Sequence, residues 1–306
     1  MSSRDLNRRT LLAGIAGAVG GGIVLGPFGV GIPVQEQPFV IDHLAALGTR
    51  VSFVVRHPDT RHAQAAIERA MGLVLNVHAT MTLHDESPLT YVNRRAIDGP
   101  IEVPLSLMAV LQAGREIHVA SGGVFDPTVS GMRNGMQYLE LNVDNRSVRF
   151  HHPDVSLDFN GIAKGYAVDV AVEHLRQSGL EHFIVNAGGD LYASGRPRDD
   201  EQGWPIHLGG WGSAAKEELG WVLSNRGVAT SGNGHRSRDR AGTPIPHLID
   251  PKTGQPGAQY ETSSVLADSV LAADAWSTAL FVGDAVEMRR RMDASAELDG
   301  VCVTAV

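Results

Sequence analysis

The run Leu157-Asp-Phe-Asn-Gly-Ile-Ala-Lys-Gly-Tyr-Ala-Val-Asp169, followed by Val185-Asn-Ala-Gly-Gly-Asp190, reads as strand, glycine turn, helix, then a second strand entering a double-glycine turn. Val155, Leu157 and Phe159 alternate as the inward residues of a half-buried strand do. Gly161 breaks that alternation. Ala163, Tyr166, Ala167 and Val170 then recur at helical spacing until Ser178-Gly179 stops the run. A glycine at a strand-to-helix junction leaves the first backbone N–H groups open to an anionic ligand. Lys164 falls in that first turn, where the helix macrodipole disfavours a cation. Two readings stay open: a solvated surface lysine, or a lysine justified by a phosphate bound at the turn.

Outward from this run, the N-terminal half offers one strand and two amphipathic helices. Leu47 to Val55 reads as a first strand, and Thr60 to His78 as a helix with Ala63, Ile67, Ala70, Met71 and Val74 inward. Ser106 to Ser121 is a second helix, ending at Gly122-Gly123. With hairpin-like segments in the second half, the pattern predicts a single mixed α/β or α+β domain over residues 37–306. The 306-residue chain, with 43% apolar and 20% charged residues, has globular composition and enough length for a real core. Its net charge of −8 and the lack of a basic patch with interleaved aromatics argue against nucleic acid as a partner. The single cysteine, Cys302, cannot form an intrachain disulfide, and a cysteine-based metal site is implausible.

Residues 1–36 read as a targeting segment. Asn7-Arg-Arg-Thr-Leu-Leu-Ala13 precedes an uncharged Gly/Ala/Val/Leu-rich run to about Val34, and the pair Arg8-Arg9 resembles a twin-arginine signal. Cleaved signal and retained membrane anchor are both open, because no clean Ala-x-Ala site follows. Either predicts an exported protein, periplasmic or anchored on the extracytoplasmic side of the membrane.

Several segments could carry chemistry. In Ala272-Ala-Asp-Ala-Trp-Ser-Thr-Ala-Leu-Phe-Val282, helical spacing puts Asp274 and Thr278 on one face with Ser277 alongside. These oxygens are hard ligands, suited to Mg²⁺ if backbone carbonyls, waters and phosphates complete the octahedron. The plainer alternative is a helix N-terminus with Asp274 near the cap and Thr278 buried. Val228-Ala-Thr-Ser-Gly-Asn-Gly-His-Arg236 reads as a glycine turn, and His247-Leu-Ile-Asp-Pro-Lys-Thr-Gly-Gln-Pro256 as a strand end entering a Pro/Gly turn. His247 is a candidate general base, or fixes the turn through Asp250. Gly122-Gly-Val-Phe-Asp-Pro-Thr-Val129 offers Asp126 and Thr128 beside Phe125, which a turn could expose.

Taken in order, these segments resemble the ApbE family, the FAD:protein FMN transferases. The resemblance rests on Leu47-Gly48-Thr49, Ser87 to Asn93, Phe125 to Thr128, the Gly161–Ala167 run, Asn186 to Asp190, Thr230 to Gly232, His247 to Gly254 and Asp274 to Thr278. It implies Mg²⁺-dependent cleavage of FAD at its diphosphate, with FMN attached to a Thr or Ser hydroxyl of a target protein and AMP released. It further implies that Asp274, Thr278 and the carbonyl of Gly161 hold the metal, with Ser277 close by. Leu47, Val124, Phe125, Asp126, Asp158, Lys164 and Leu248 would contact FAD, and the target would be an exported or membrane redox subunit. Relatives often carry an aromatic residue shortly before Ser87, where this chain has Leu83 or His84. They often have methionine at the position of Leu47 and a small residue at that of Asn160. Two alternatives share the same segments: a Mg²⁺-dependent FAD diphosphatase, and a flavin-binding carrier without turnover.

Overall fold

The computed structural model describes residues 37–132, 134–208, 219–232, 248–257, 260–295 and 298–305. Its frame is a seven-stranded, wholly antiparallel sheet. In spatial order the strands are β1 (Phe39–Ala46), β2 (Thr49–Arg56), β6 (His182–Ala187), β7 (Asp190–Ser194), β10 (Arg226–Gly232), β11 (Tyr260–Ala267) and β12 (Leu298–Ala305). A small sheet of β3 (Ile101–Glu102), β5 (Ser147–Phe150) and β4 (Leu139–Asn142) lies apart from it. The helices are α1 (Thr60–Met81), α2 (Pro88–Arg95), α3 (Leu105–Ala120), α4 (Ala163–Gln177), α5 (Val270–Val282) and α6 (Ala285–Met292).

Alternation of side chains gives the sheet two apolar faces. Val51, Phe53 and Val55 of β2, Phe183 and Val185 of β6 and Val265 of β11 join the buried residues of α1, α4 and α5 in the main core. Leu191, Ala193 and Val228 form a second cluster with Trp204, Ile206 and Leu223, supplied by the hairpin of β8 (Trp204–Leu208) and β9 (Leu219–Leu223). The fold is therefore α+β, as expected. Among the described residues no helix is long and apolar enough to cross a membrane.

The expected helices are present, α1 and α3 within three residues of their predicted ends. Two expectations need correction. Leu47 does not begin the first strand: it forms, with Gly48, the two-residue turn between β1 and β2, at φ 54° and 69°. Positive φ at both positions suits the twist of a tight hairpin, although leucine seldom adopts it. β1 itself, an edge strand, was not anticipated.

The second correction concerns Val155, Leu157 and Phe159. All three are buried, as their alternation predicts, but the segment belongs to no sheet. Its backbone partner is a side chain. Leu157 N–H donates to Asn93 Oδ1 at 2.8 Å, and Asn93 Nδ2 donates to the Leu157 carbonyl at 2.9 Å. The amide thus mimics a strand neighbour, and Asp158 N–H goes to the Pro127 carbonyl at 2.8 Å. Asn93 sits on α2, whose start is secured by a reciprocal Ser87–Thr90 capping box. Asn93→Ala would leave both backbone groups of Leu157 unpartnered in the core, a cost of roughly 3 kcal/mol. Urea unfolding should register it as a lowered midpoint at unchanged slope.

Candidate active site

The glycine turn at 161 and helix α4 bring the first functional groups together, and α5 supplies the rest. The two helices meet at Gly165: a Cβ there would lie 2.4 Å from the Val270 carbonyl oxygen and 2.7 Å from Leu271 Cα. Only a residue without a side chain permits this approach. The approach lets Gly165 N–H donate to Asp274 Oδ2 at 3.0 Å. The anion at the start of α4 is thus a protein carboxylate. The N–H groups of Ile162 and Ala163 are also engaged, both donating to the Phe159 carbonyl.

Lys164 is not the solvated surface residue that one reading of its position suggested. Its ammonium lies between buried carboxylates, in direct ion-pair contact with Asp190 and 3.2 and 3.3 Å from the two oxygens of Asp274. Asp190 and Asp274 are each 2% exposed. These carboxylates reverse the local field of the helix start, which is what a lysine in the first turn requires. Burial first, and the Asp274 charge second, push the Asp190 carboxyl above the usual carboxylate range.

Hydroxyls line the same face of α5. Ser277 Oγ donates to the Asp274 carbonyl at 2.9 Å and pairs with Ser231 Oγ at 2.8 Å. Ser231 Oγ also lies 3.2 Å from Thr278 Oγ1. A Cβ built on Gly161 would sit 3.0 Å from Thr278 Oγ1 and 3.4 Å from the Phe125 ring, so the turn packs directly on Thr278. Asp274, the fifth residue of α5, is not its cap; Ser269 is, accepting the Ala272 N–H at 3.1 Å. Thr278 is half-buried. Lys164, Gly161, Asp274, Ser277 and Thr278 therefore converge, with Phe125 behind them.

Asp169 closes the junction from α4. Its two carboxylate oxygens accept Val270 N–H and Leu271 N–H, each at 2.8 Å, and so cap α5 from a neighbouring helix. Loss of solvent pushes its carboxyl up to about 6, against the lowering effect of those two bonds. A carboxyl with a raised folded-state pKa stabilises most below its ordinary value near 3.8, and that contribution is lost as pH rises through about 6. Asp169→Asn should therefore flatten this part of the stability curve between about pH 4 and about pH 6, read by urea unfolding at each pH.

Among the described residues, none of the remaining candidates for FAD contact hydrogen-bonds to the Asp190 or Asp274 carboxylate. Val124, Phe125 and Asp126 are buried, Phe125 at 4% exposure, so it is not the surface phenylalanine the turn suggested. His118 Nδ1 lies 2.8 Å from the Phe125 carbonyl. Asp126 Oδ1 accepts Thr128 N–H at 2.8 Å, while its buried Oδ2 has no hydrogen-bond partner among the described residues. Asp158 is held in its own turn, accepting Asn160 N–H at 2.8 Å and Ser130 Oγ at 3.1 Å. Leu83 and His84 are exposed on the loop before α2, and Leu47 N–H donates to His78 Nδ1 at 3.3 Å. Leu248 is half-buried at the base of a loop closed by an Ile249–Pro256 bridge. His247 lies outside the described residues. Thr230-Ser231-Gly232, expected in a turn, ends strand β10.

Asp190, Ser231, Gly165 and Asp169 are the residues to which sequence reasoning gave no role. All four stand in segments that drew notice in the sequence, but their partners are distant in the chain and reach them only through sheet register and helix packing. Among the described residues no three of His, Cys, Asp and Glu gather as a metal-binding group. Any metal here would depend on carboxylate, hydroxyl and carbonyl oxygens together.

The chain resembles known proteins both in sequence and in fold. The ApbE family model matches residues 47–137 and 131–301. An FAD:protein FMN transferase of Rhodobacter capsulatus is 30% identical over 213 residues, 59% of this chain and 39% of that protein's length. One of Haemophilus influenzae is 26% identical over 256 residues, 73% of this chain and 74% of the relative. The crystal structure of the ApbE protein of Thermotoga maritima superposes with a TM-score of 0.75 at 23% identity, covering 87% of this chain and 94% of the other.

Proposed function

The chain belongs to the ApbE family, and from that premise we propose that it transfers FMN from FAD to a protein hydroxyl and releases AMP. The observation that carries this reading is the buried pair Asp190 and Asp274 sharing Lys164 beside Thr278 and Gly161.

The residues fit a magnesium ion. Asp274 carboxylate, Thr278 hydroxyl and Gly161 carbonyl are hard oxygens, and Ser277 stands beside them. Two carboxylates share one lysine, so a further cation would offset charge that burial makes costly. Bound there, Mg²⁺ would supply charge neutralisation for a diphosphate.

The chain's own groups then account for the rest. Lys164 is proposed to face the diphosphate oxygens of FAD, adding a fixed positive charge as negative charge shifts toward the leaving phosphate. The target's hydroxyl oxygen attacks the FMN-side phosphorus. The bond from that phosphorus to the bridging oxygen breaks, and AMP leaves with that oxygen. The hydroxyl proton needs an acceptor, for which His247 remains the proposed base. Val124, Phe125 and Ile162 are buried, and Phe125, which packs on Gly161, would keep bulk water from one side of the reacting phosphorus. The unpartnered Asp126 Oδ2 is an acceptor that a donor on the bound dinucleotide would satisfy.

Export is part of the proposal and rests on Arg8-Arg9 with the apolar run that follows. The target is accordingly proposed to be an exported or membrane-bound redox subunit. Incubation with FAD, Mg²⁺ and such a subunit tests the reading by mass spectrometry. A gain of one FMN on the target is expected; free FMN and AMP without that gain would instead identify a diphosphatase.

A further inference from the structure

Asp190 takes no part in the chemistry just described, yet it is among the most firmly held groups of the site. It opens β7 immediately after the Gly188-Gly189 turn, and Gly188 is packed so closely on Thr49 that a Cβ would meet Thr49 Oγ1 at 2.4 Å. Its Oδ1 accepts Thr230 N–H at 3.2 Å, and its Oδ2 holds Lys164. Sheet register, with Val228 opposite Leu191, fixes β10 and β7 against each other. Lys164 is therefore shared by carboxylates of two separate elements, one on the sheet and one on α5.

The two ends of this bridge are unequal. Asp190 makes the close contact, whereas both Asp274 distances, 3.2 and 3.3 Å, are long for a charge-assisted bond. A divalent cation approaching Asp274 meets an ammonium only 3.2 and 3.3 Å from its two oxygens, and like charges that close repel strongly in a buried site. We propose that Asp190 is a positioning residue that draws Lys164 off Asp274, leaving the Asp274 oxygens available to the cation and keeping the ammonium beside it. The inference rests on the reading of Asp274 as a metal ligand.

Calorimetric titration of Mg²⁺ alone into the full chain, without FAD, tests it with four proteins: wild type, Asp190→Asn, Lys164→Met and the double variant. Asp190→Asn should weaken Mg²⁺ binding by about ten-fold or more, because Lys164 then settles wholly on Asp274. In the Lys164→Met background the same substitution should change affinity less than about three-fold, since no ammonium remains to be held aside. Equal effects of Asp190→Asn in the two backgrounds, or none in either, would overturn the proposal. A merely structural role for Asp190 would not vanish when Lys164 is replaced. If Asp190→Asn fails to fold, Lys164→Met alone decides: tighter Mg²⁺ binding than wild type supports the competition, and weaker binding overturns it. Wild type that binds no Mg²⁺ overturns the metal reading itself, and this inference with it.

Discussion

Asp274→Ala is expected to reduce FMN transfer by roughly a hundred-fold or more, the scale on which loss of a metal's charge stabilisation acts. FAD binding should remain detectable, because the buried groups around Phe125 and Asp126 are untouched by the change. Alanine also removes the acceptor of Gly165 N–H, leaving a buried donor at a cost of about 1–3 kcal/mol. Asp274→Asn separates the two effects. Its amide oxygen can keep the Gly165 bond and so most of the stability, while a neutral ligand still forfeits the charge on the metal. Transfer near wild-type level in Asp274→Asn, or in wild type with excess EDTA, would remove the carboxylate from its assigned role.

Gly165→Ala should be the most damaging single methyl addition to the site. The atoms a Cβ would strike are backbone, the Val270 carbonyl and Leu271 Cα, and cannot rotate away. Helices α4 and α5 must separate, which costs about 3 kcal/mol and lowers the melting temperature by roughly 5–10 °C. The same separation pulls Asp274 from Lys164 and the Asp169 carboxylate from the α5 N–H groups. Transfer should therefore fall more than stability does, measured well below the melting point on protein shown to be folded. An alanine variant with unchanged melting and activity would mean that the two helices do not meet at this closeness.

Much of this was legible from local pattern. Helical periodicity places α1, α3 and α4, and the double glycine at 188–189 marks a hairpin, where both residues take positive φ. Spacing alone puts Asp274 and Thr278 on one face. What was not legible depends on partners distant in the chain. The alternation of Val155, Leu157 and Phe159 records inward side chains and is silent about the backbone partner, which proves to be the Asn93 amide rather than a strand. Lys164 looked misplaced against the helix dipole because Asp190 and Asp274, one on a strand and one on another helix, could not be seen beside it. Asp169 reads in the sequence as an ordinary helical carboxylate, yet it caps a helix a hundred residues further on. Leu47 was misread because leucine carries no propensity for the positive φ that its hairpin demands.

The central claim is that a divalent cation on Asp274, Thr278 and Gly161 carries the diphosphate of FAD. Crystals grown with FAD and Mn²⁺ in place of Mg²⁺ test it directly through the anomalous signal of manganese. The account predicts a peak about 2.1–2.2 Å from an Asp274 carboxylate oxygen, with diphosphate oxygens completing the shell and Lys164 turned toward Asp190. A peak elsewhere, or a diphosphate bound away from Asp274, would contradict it.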